Sequence, residues 1–243
     1  LSATINRPEK LCEWNENKVF GAKRNEMYLC VSNYRNVPLF HYSFMTLPKS
    51  HLNSIDSSYK HLFNATTGKP ILLKEQDKPF MEKNYYNMQK ILKYNYENKI
   101  QPNNTFVFNE MVNYLKDNNL LPALTFIFSR KQCYIWANKI QRSLFDDGST
   151  IPSTIEQTAK KILISKLNNW KEYVSLPEFK NIVALLKKGI AVHHSGVTPV
   201  FREMIELLYN VGLIRLLIAT ETFGLSLIFI LKFSLKVKAY FNS

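Results

Sequence analysis

The sequence contains few cysteines and no long apolar run. Three cysteines, Cys12, Cys30 and Cys133, are spread over 243 residues without a Cys-x-x-Cys pair. This spacing excludes a disulfide scaffold and favours a reducing compartment, cytoplasm or nucleus, with a viral origin left open. The most apolar stretch, Phe223–Leu235, is shorter than the roughly 20 residues that a bilayer requires and contains Lys232. We therefore expect no membrane partner and interpret this stretch as core or as altered sequence.

Acidic residues and glycine are also scarce. The chain has 19 Asp and Glu against 32 Lys and Arg, a formal net charge of +13, and only seven glycines. Excess Lys and Arg favour a polyanionic partner, because such side chains release counterions when they bind phosphates. The alternative is an A/T-rich gene, whose codons place lysine on any surface. Charge leaves both interpretations open, while 46% hydrophobic residues are ample for a buried core.

From residue 104 onward, the apolar residues predict alternating helices and strands. Ala123–Phe128 is an unbroken apolar strand of the kind buried on both faces, and strands follow at Gly189–His193 and Arg215–Ala219. Spacings of three and four predict helices over 106–115, 133–144, 155–167, 179–186 and 201–208. This alternation indicates an α/β fold with a parallel sheet and helices on both faces.

Two helix starts carry specific signals. Ser175-Leu-Pro-Glu178 predicts a capping box for the helix over 179–186. Thr198 is placed to cap the last helix, with Pro199 at its first position and Gly212 at its end. The second signal places the helix start directly after a strand of the predicted sheet.

The first 102 residues are less regular. Asn6 can cap a short helix that includes Pro8, and strands are predicted over 27–32 and 38–45. Residues 47–102 lack clear periodicity and are interpreted as a linker or surface insertion.

Lysines and tyrosines are interleaved between Lys83 and Lys99. The tyrosines are Tyr85, Tyr86, Tyr94 and Tyr96. Nucleobases can stack on such rings. The alternative, which base rates favour, is a solvated amphipathic helix.

Two of the predicted strands end in small and hydrogen-bonding residues. The runs Ile190-Ala-Val-His-His-Ser-Gly196 and Leu217-Ile-Ala-Thr-Glu-Thr-Phe-Gly224 each begin apolar and become polar at their C-terminal ends. Ligands bind at that edge of parallel α/β sheets. Because one strand–helix–strand unit separates the two runs, we expect their polar residues to meet at one surface. This arrangement is typical of a nucleic-acid-dependent NTPase lobe.

Four short motifs, in this order, resemble those of superfamily 2 helicases. Ser2-Ala-Thr4 is similar to motif III, Phe128-Ser-Arg-Lys131 to motif IV, and Ala219-Thr-Glu-Thr-Phe223 to the start of motif V. Between the last two, His193-His-Ser-Gly196 resembles a signature of superkiller-type DExH-box RNA helicases, which feed the RNA exosome. The resemblance covers residues 1–46 and about 121–227.

The resemblance implies parts of two RecA-like lobes. Residues 1–46 would form the C-terminal end of the first lobe and its exit strand, and residues 47–120 a linker or insertion with helices. Residues 121–243 would form the second lobe, the helicase C-terminal domain, truncated before motif VI. Ser2 and Thr4 of motif III would couple the nucleotide state of the first lobe to RNA unwinding.

The resemblance also implies contacts to the RNA sugar–phosphate backbone. Ser129 and Arg130 lie where a strand becomes a helix, and a hydroxyl, a guanidinium and helix N-terminal amides suit a phosphate oxygen. His194 and Gly196 would let the backbone approach closely, because glycine has no side chain. The alternatives are a plain N-cap, a surface charge and a buried structural histidine. No third metal ligand is near the histidines in sequence, so zinc is not expected.

Motif V supplies the remaining candidates. Thr220 and Thr222 offer hydroxyls to phosphate, and the alternative for them is a helix cap. Gly224 and Ser226 are assigned to the nucleotide-binding side by the resemblance. The chain departs from the family pattern there, because Ser226 and Ile228 stand where the family has Gly and Asn.

The family's ATP-site motifs do not occur in this sequence. It contains no Gly-x-x-x-x-Gly-Lys-Ser/Thr, no Asp-Glu-x-His and no Gln-x-x-Gly-Arg-x-Gly-Arg. ATP and Mg²⁺ would therefore be held mainly by other residues of the intact protein. We expect a piece of a longer helicase, with altered sequence after about residue 227, that does not hydrolyse ATP alone.

The sequence thus predicts part of an ATP-dependent RNA helicase that binds the RNA backbone and couples ATP hydrolysis to duplex unwinding. Its partners would be RNA, as a single strand or a duplex with an overhang, and an RNA-degradation complex. A DNA helicase of the same superfamily and a non-catalytic RNA-binding lobe are the alternatives. A chance match on an unrelated α/β domain is the third.

Overall fold

The computed structural model describes residues 7–17, 28–30, 38–101, 103–220 and 233–235. Its first element is helix α1 (Pro8–Asn17), which confirms the predicted short helix. Proline suits this first position because the N–H that it lacks would have no partner within the helix. The predicted cap Asn6 lies outside the described residues, and residues 28–30 of the strand predicted over 27–32 are not in a strand.

Residues 38–101 form a small packed unit. Its elements are β1 (His41–Phe44), α2 (Lys49–Asn53), α3 (Ser57–Thr66), β2 (Pro70–Lys74) and α4 (Glu82–Glu97). Strand β1 pairs antiparallel with β2. Buried apolar side chains from the helices and their connections form one cluster: Leu47, Ile55, Leu62, Phe63, Ile91 and Tyr94. The segment after residue 46 therefore has a core of its own, while the domain boundaries at 46 and 120 stay a prediction.

The following elements alternate helices with strands. They are α5 (Asn104–Asp117), β3 (Ala123–Phe126), α6 (Arg130–Lys139), α7 (Ile151–Lys166), α8 (Trp170–Ser175), α9 (Pro177–Leu186), β4 (Ile190–His193), α10 (Pro199–Asn210), β5 (Leu216–Ala219) and β6 (Phe233–Leu235). The last four strands form one parallel sheet in the order β4-β5-β3-β6. The predicted α/β fold with a parallel sheet is confirmed.

Helices cover both faces of this sheet. Successive strand residues point to opposite sides, so each strand contributes buried side chains to both faces. One face packs against α7, α9 and α10, and the other mainly against α5 and α6. The first face presents Leu124, Ala191, Leu217 and Ala219, and the second Ala123, Ile190, Val192, Leu216 and Ile218. Burial on both sides is the reason that these strands are apolar throughout.

One strand and one helix end earlier than predicted. Strand β3 ends at Phe126 rather than at residue 128, and helix α6 ends at Lys139 rather than at residue 144. Ile140 has extended backbone, and the Leu144 N–H donates to the Lys188 carbonyl at 2.9 Å. Both side chains are buried in the loop after α6. Apolar residues continue at helical spacing beyond the end of α6 because the loop is also buried, and this spacing misplaced the predicted helix end.

The capping box predicted at residues 175–178 is wrong. The Ser175 hydroxyl donates to the Glu172 carbonyl at 2.6 Å, one turn earlier in the chain. Helix α9 begins at Pro177 after Leu176, which makes no side-chain cap hydrogen bond. The carboxylate of Glu178 accepts hydrogen bonds from the start of α10 instead. No helix in the described part of the chain has both the length and the apolar content that a membrane span needs.

Candidate nucleic-acid interface

Three strands of the parallel sheet end side by side. Phe126 of β3 and His193 of β4 both lie opposite Ala219 of β5. Beyond them, the Ile127 N–H donates to the Ala219 carbonyl at 2.9 Å, and the Thr220 N–H to the His193 carbonyl at 3.4 Å. The carboxyl ends of these strands therefore lie at one edge of the sheet, where ligands bind in parallel α/β folds.

Arg130, His194 and Gly196 lie together at this edge. A Cβ atom built on Gly196 would be 3.2 Å from Cε1 and Nδ1 of His194, and 3.5 Å from Cδ of Arg130. Such contacts are tight enough that a side chain at position 196 would press on the imidazole. Glycine therefore allows the loop after β4 to lie against the first residue of α6.

A hydrogen bond fixes the ring of His194. The Gly196 N–H donates to Nδ1 of His194 at 3.0 Å, so Nδ1 is unprotonated and the neutral ring carries its proton on Nε2. His194 is only 4% exposed, and the ring of Tyr134 lies edge-on to its imidazole with the ring centroids 5.4 Å apart. Within the described residues Nε2 has no hydrogen-bond partner. His194 thus holds the loop in place from beneath, while Ser195 and Gly196 are exposed.

The environment of this edge lowers the pKa of both histidines. Burial lowers the pKa of His194, and the positive charge of Arg130 lowers it further. Burial also lowers the pKa of His193, against the opposing effect of Glu206, whose Oε1 lies 2.8 Å from Nε2 of His193. The edge therefore favours neutral imidazoles.

This leads to a prediction for the pH dependence of folding. Because both pKa values are lower in the folded chain than in the unfolded one, the unfolded state takes up protons first as the pH falls through about 6.5. We expect the free energy of unfolding, measured by urea denaturation, to fall between about pH 7 and pH 5. The variant His194→Gln should flatten this dependence, whereas His51→Gln at an exposed position of α2 should not. Stability that rises on acidification would contradict the prediction.

Glu178 connects two helices beneath the loop. Its Oε1 accepts from the Thr198 N–H at 3.1 Å, and its Oε2 from the Thr198 hydroxyl at 2.6 Å. Thr198 is the N-cap of α10 and Pro199 its first residue, as predicted, although the hydroxyl makes no bond within its own helix. Burial raises the pKa of Tyr134, and the negative charge of Glu178 raises it further. The sequence analysis assigned Glu178 to a capping box and missed its bonds to Thr198, because this partner is 20 residues away.

The remaining described candidates occupy different environments. Ser129 is the exposed N-cap of α6, and its hydroxyl accepts from the Gln132 N–H at 3.4 Å. Arg130 is exposed at the first position of that helix. Thr220 follows β5 and is only 7% exposed. Arg130 and Gly196 are therefore accessible at this edge, whereas His194 and Thr220 are buried behind them.

Several predicted residues lie outside the described residues. These are Ser2, Thr4, Thr222, Gly224 and Ser226. Among the residues that the structure describes, no group of three His, Cys, Asp or Glu side chains could hold a metal ion. The described edge has a guanidinium, a helix N-terminus and an exposed glycine loop, which are groups that can bind an anion.

The parallel sheet places an arginine and a helix N-terminus at its carboxyl edge, where α/β domains commonly bind ligands. No family model matches the chain. Stretches of it are, however, similar to known RNA helicases. The ATP-dependent RNA helicase mtr4 of Schizosaccharomyces pombe is 39% identical over 77 residues, which cover 30% of this chain and 7% of that protein.

Two further relatives belong to the same group. The DExH-box ATP-dependent RNA helicase DExH9 of Arabidopsis thaliana is 54% identical over 52 residues, 21% of this chain and 5% of the relative. The antiviral helicase SKI2 of Saccharomyces cerevisiae is 47% identical over 57 residues, 24% of this chain and 4% of the relative. The matched stretches thus span 4% to 7% of these relatives. They confirm the resemblance to superkiller-type DExH-box RNA helicases, and the α/β fold with its parallel sheet is consistent with a fragment of a RecA-like helicase lobe.

Proposed function

We propose that the edge formed by the ends of β3, β4 and β5 binds the sugar–phosphate backbone of RNA. The observation that carries the proposal is the close approach of Arg130, at the start of α6, to His194 and Gly196 in the loop after β4. Arg130 places a permanent positive charge at the N-terminus of α6, where the helix dipole also favours an anion. Gly196 is exposed, and the lack of a side chain lets its loop pack against His194 and Arg130 at this edge.

In this proposal His194 is a positioning residue. Its Nδ1 holds the Gly196 amide, and the ring is buried, so it sets the loop conformation instead of touching the solvent-side phosphate. Thr220 is buried in the same way behind the edge. Ser129 and Arg130 are the exposed groups that would meet RNA. Contacts to phosphate alone carry little sequence preference.

The wider role proposed is that of part of the second RecA-like lobe of an ATP-dependent RNA helicase. ATP would close two lobes over a single strand, and Ser2 and Thr4 would relay this closure to strand separation. Thr222 would add a phosphate contact, and Gly224 and Ser226 would lie on the nucleotide side, with Mg²⁺ held by residues of the family's missing motifs. The relatives are named RNA helicases, which favours RNA over DNA and unwinding over binding alone. A further relative, from Mus musculus, is named exosome RNA helicase MTR4, and this name supports an RNA-degradation complex as partner.

The variant Arg130→Ala tests the phosphate contact. In this chain we expect weaker binding to a labelled single-stranded RNA, and a slope of log K against log salt that is shallower by about 0.7, the value for one lost phosphate contact on a single strand. Fluorescence anisotropy over a salt series measures both quantities. The control Arg142→Ala removes the same charge beyond the far end of α6, where the arginine pairs with Asp117. The control should leave the slope unchanged.

Two results would contradict this function. Equal slopes for the wild type and for Arg130→Ala would remove the proposed phosphate contact. Clearly tighter binding to a DNA strand of the same sequence would support the DNA helicase alternative. The two tests are independent. The salt slopes compare two protein variants on one RNA, and the affinities compare RNA with DNA on one protein.

A further inference from the structure

Helix α4 of the small unit carries two neighbouring exposed stripes of different chemistry. On its buried face, Ile91 and Tyr94 belong to the apolar core of the unit, and Met88 is buried as well. On the exposed face, residues spaced by three and four lie in rows. One row is aromatic and apolar: Tyr85, Gln89, Leu92 and Tyr96. The adjacent row is basic with one ring: Lys83, Tyr86, Lys90 and Lys93.

The apolar groups on this face are unusually accessible. Tyr86 is 55% exposed, Leu92 54% and Tyr96 83%. A shallow groove of about 610 Å³ lies on the helix surface, lined by Tyr86, Gln89, Lys90, Leu92 and Lys93. Large exposed apolar side chains grouped in one place mark an interaction surface more often than scattered ones do.

The rings at the start of the helix are ordered by mutual contacts. Tyr85 lies edge-on to Phe80, with ring centroids 5.5 Å apart, and edge-on to Tyr86 at 5.9 Å. The Gln89 side chain donates to the Tyr85 hydroxyl at 2.7 Å. Preordered rings lose little conformational entropy when a flat partner stacks on them.

The lysines of this face are available for an anion. Within the described part of the chain, Lys83 and Lys90 have no carboxylate partner, and Lys93 makes only a long pair of 3.8 Å with Glu97. The helix of 16 residues is about 24 Å long, which spans a few nucleotides. Cations and rings therefore alternate along a length that suits a short single strand.

We propose that this face of α4 is a second binding surface for single-stranded nucleic acid, separate from the sheet edge. Bases would stack on Tyr86 and Tyr96, and phosphates would contact Lys90 and Lys93. Charge complementarity selects this occupant, because lysines next to exposed rings match phosphates next to bases. A second copy of the chain fits less well, since a symmetric pairing would bring the same lysines together.

The experiment is a binding titration of the whole chain with a labelled oligouridine of about 12 nucleotides. The double variant Lys90→Ala with Lys93→Ala should make the slope of log K against log salt shallower by about 1.4, the value for two contacts on a single strand. The variant Tyr86→Ala should weaken binding about tenfold, whereas Tyr86→Phe, which keeps the ring, should bind like the wild type. The matched control, Lys49→Ala with Lys60→Ala, removes two exposed lysines from α2 and α3 of the same unit and should leave the slope unchanged.

The Arg130→Ala background separates this proposal from the function proposed above. The effects of the α4 variants should persist there, because the two surfaces are independent. A double lysine variant that behaves like its control in both backgrounds overturns the α4 surface without touching the sheet edge. Dimerisation in analytical ultracentrifugation that Leu92→Glu abolishes, with RNA affinity unchanged, also overturns it and assigns the face to a second copy. Circular dichroism of each variant confirms that the exposed substitutions leave the fold intact.

Discussion

Phe201→Ala is expected to lower the free energy of unfolding by about 3–5 kcal/mol. Phe201 is on α10, is fully buried and lies in ring contact with Phe179 of α9 at 5.9 Å and Tyr173 of α8 at 6.0 Å. Truncation loses the transfer free energy of the ring and leaves a cavity among three helices that cannot collapse freely. Urea denaturation followed by circular dichroism measures the change.

Leu207→Ala is the control for this prediction, because Leu207 lies on the same helix but is 37% exposed. Its loss should change the free energy of unfolding by less than about 1.5 kcal/mol. Equal losses for the two variants would contradict the placement of Phe201 in the core. RNA affinity under native conditions should change little in either variant, since neither side chain is at the sheet edge.

Glu178→Ala is expected to lower the free energy of unfolding by about 1–3 kcal/mol. The substitution leaves the Thr198 N–H and hydroxyl without the acceptors that now lie 3.1 and 2.6 Å away. Because Thr198 closes the loop that begins at His194, we also expect weaker RNA binding through a less ordered loop. Thermal or urea unfolding and anisotropy titrations measure the two effects.

Two companions make this prediction specific. Glu178→Gln keeps one carbonyl acceptor and should recover part of the stability. Glu203→Ala removes a carboxylate from α10 that pairs with Lys166 at the surface, where an ion pair contributes at most about 1 kcal/mol. If Glu203→Ala destabilises the chain as much as Glu178→Ala, the link between α9 and α10 is not what holds the loop.

Much of the sheet was predictable from local patterns. The strands at Ala123, Ile190 and Leu216 were found because strands covered on both faces are apolar at every position. Helices α5, α7 and α10 were found from apolar spacings of three and four. The end of α6 was misplaced because the buried loop residues Ile140 and Leu144 continue the same spacing without the helical backbone.

The small unit at 38–101 was not predicted as a packed structure. Strands β1 and β2 have four and five residues, and helix α2 has five. Elements this short do not show a clear periodicity of apolar residues. The capping box failed for a related reason. A Ser-x-x-Glu spacing is compatible with a cap, but the same glutamate can accept from another helix, and the tertiary structure places Thr198 within reach.

The amino-acid sequence established most of the described helices, the strands β3, β4 and β5, and which strand ends turn polar, because these are properties of neighbouring residues. Helix α8 and strand β6 were not predicted. The tertiary structure alone decided which side chains meet at that edge. Gly196 lies against Arg130 because the order β4-β5-β3 brings two strand ends near each other, and Glu178 meets Thr198 because α9 and α10 pack on the same face. The periodicity of apolar residues predicts which side chains are buried. Which residues they contact depends on strand order and helix packing, and these cannot be read from neighbouring residues.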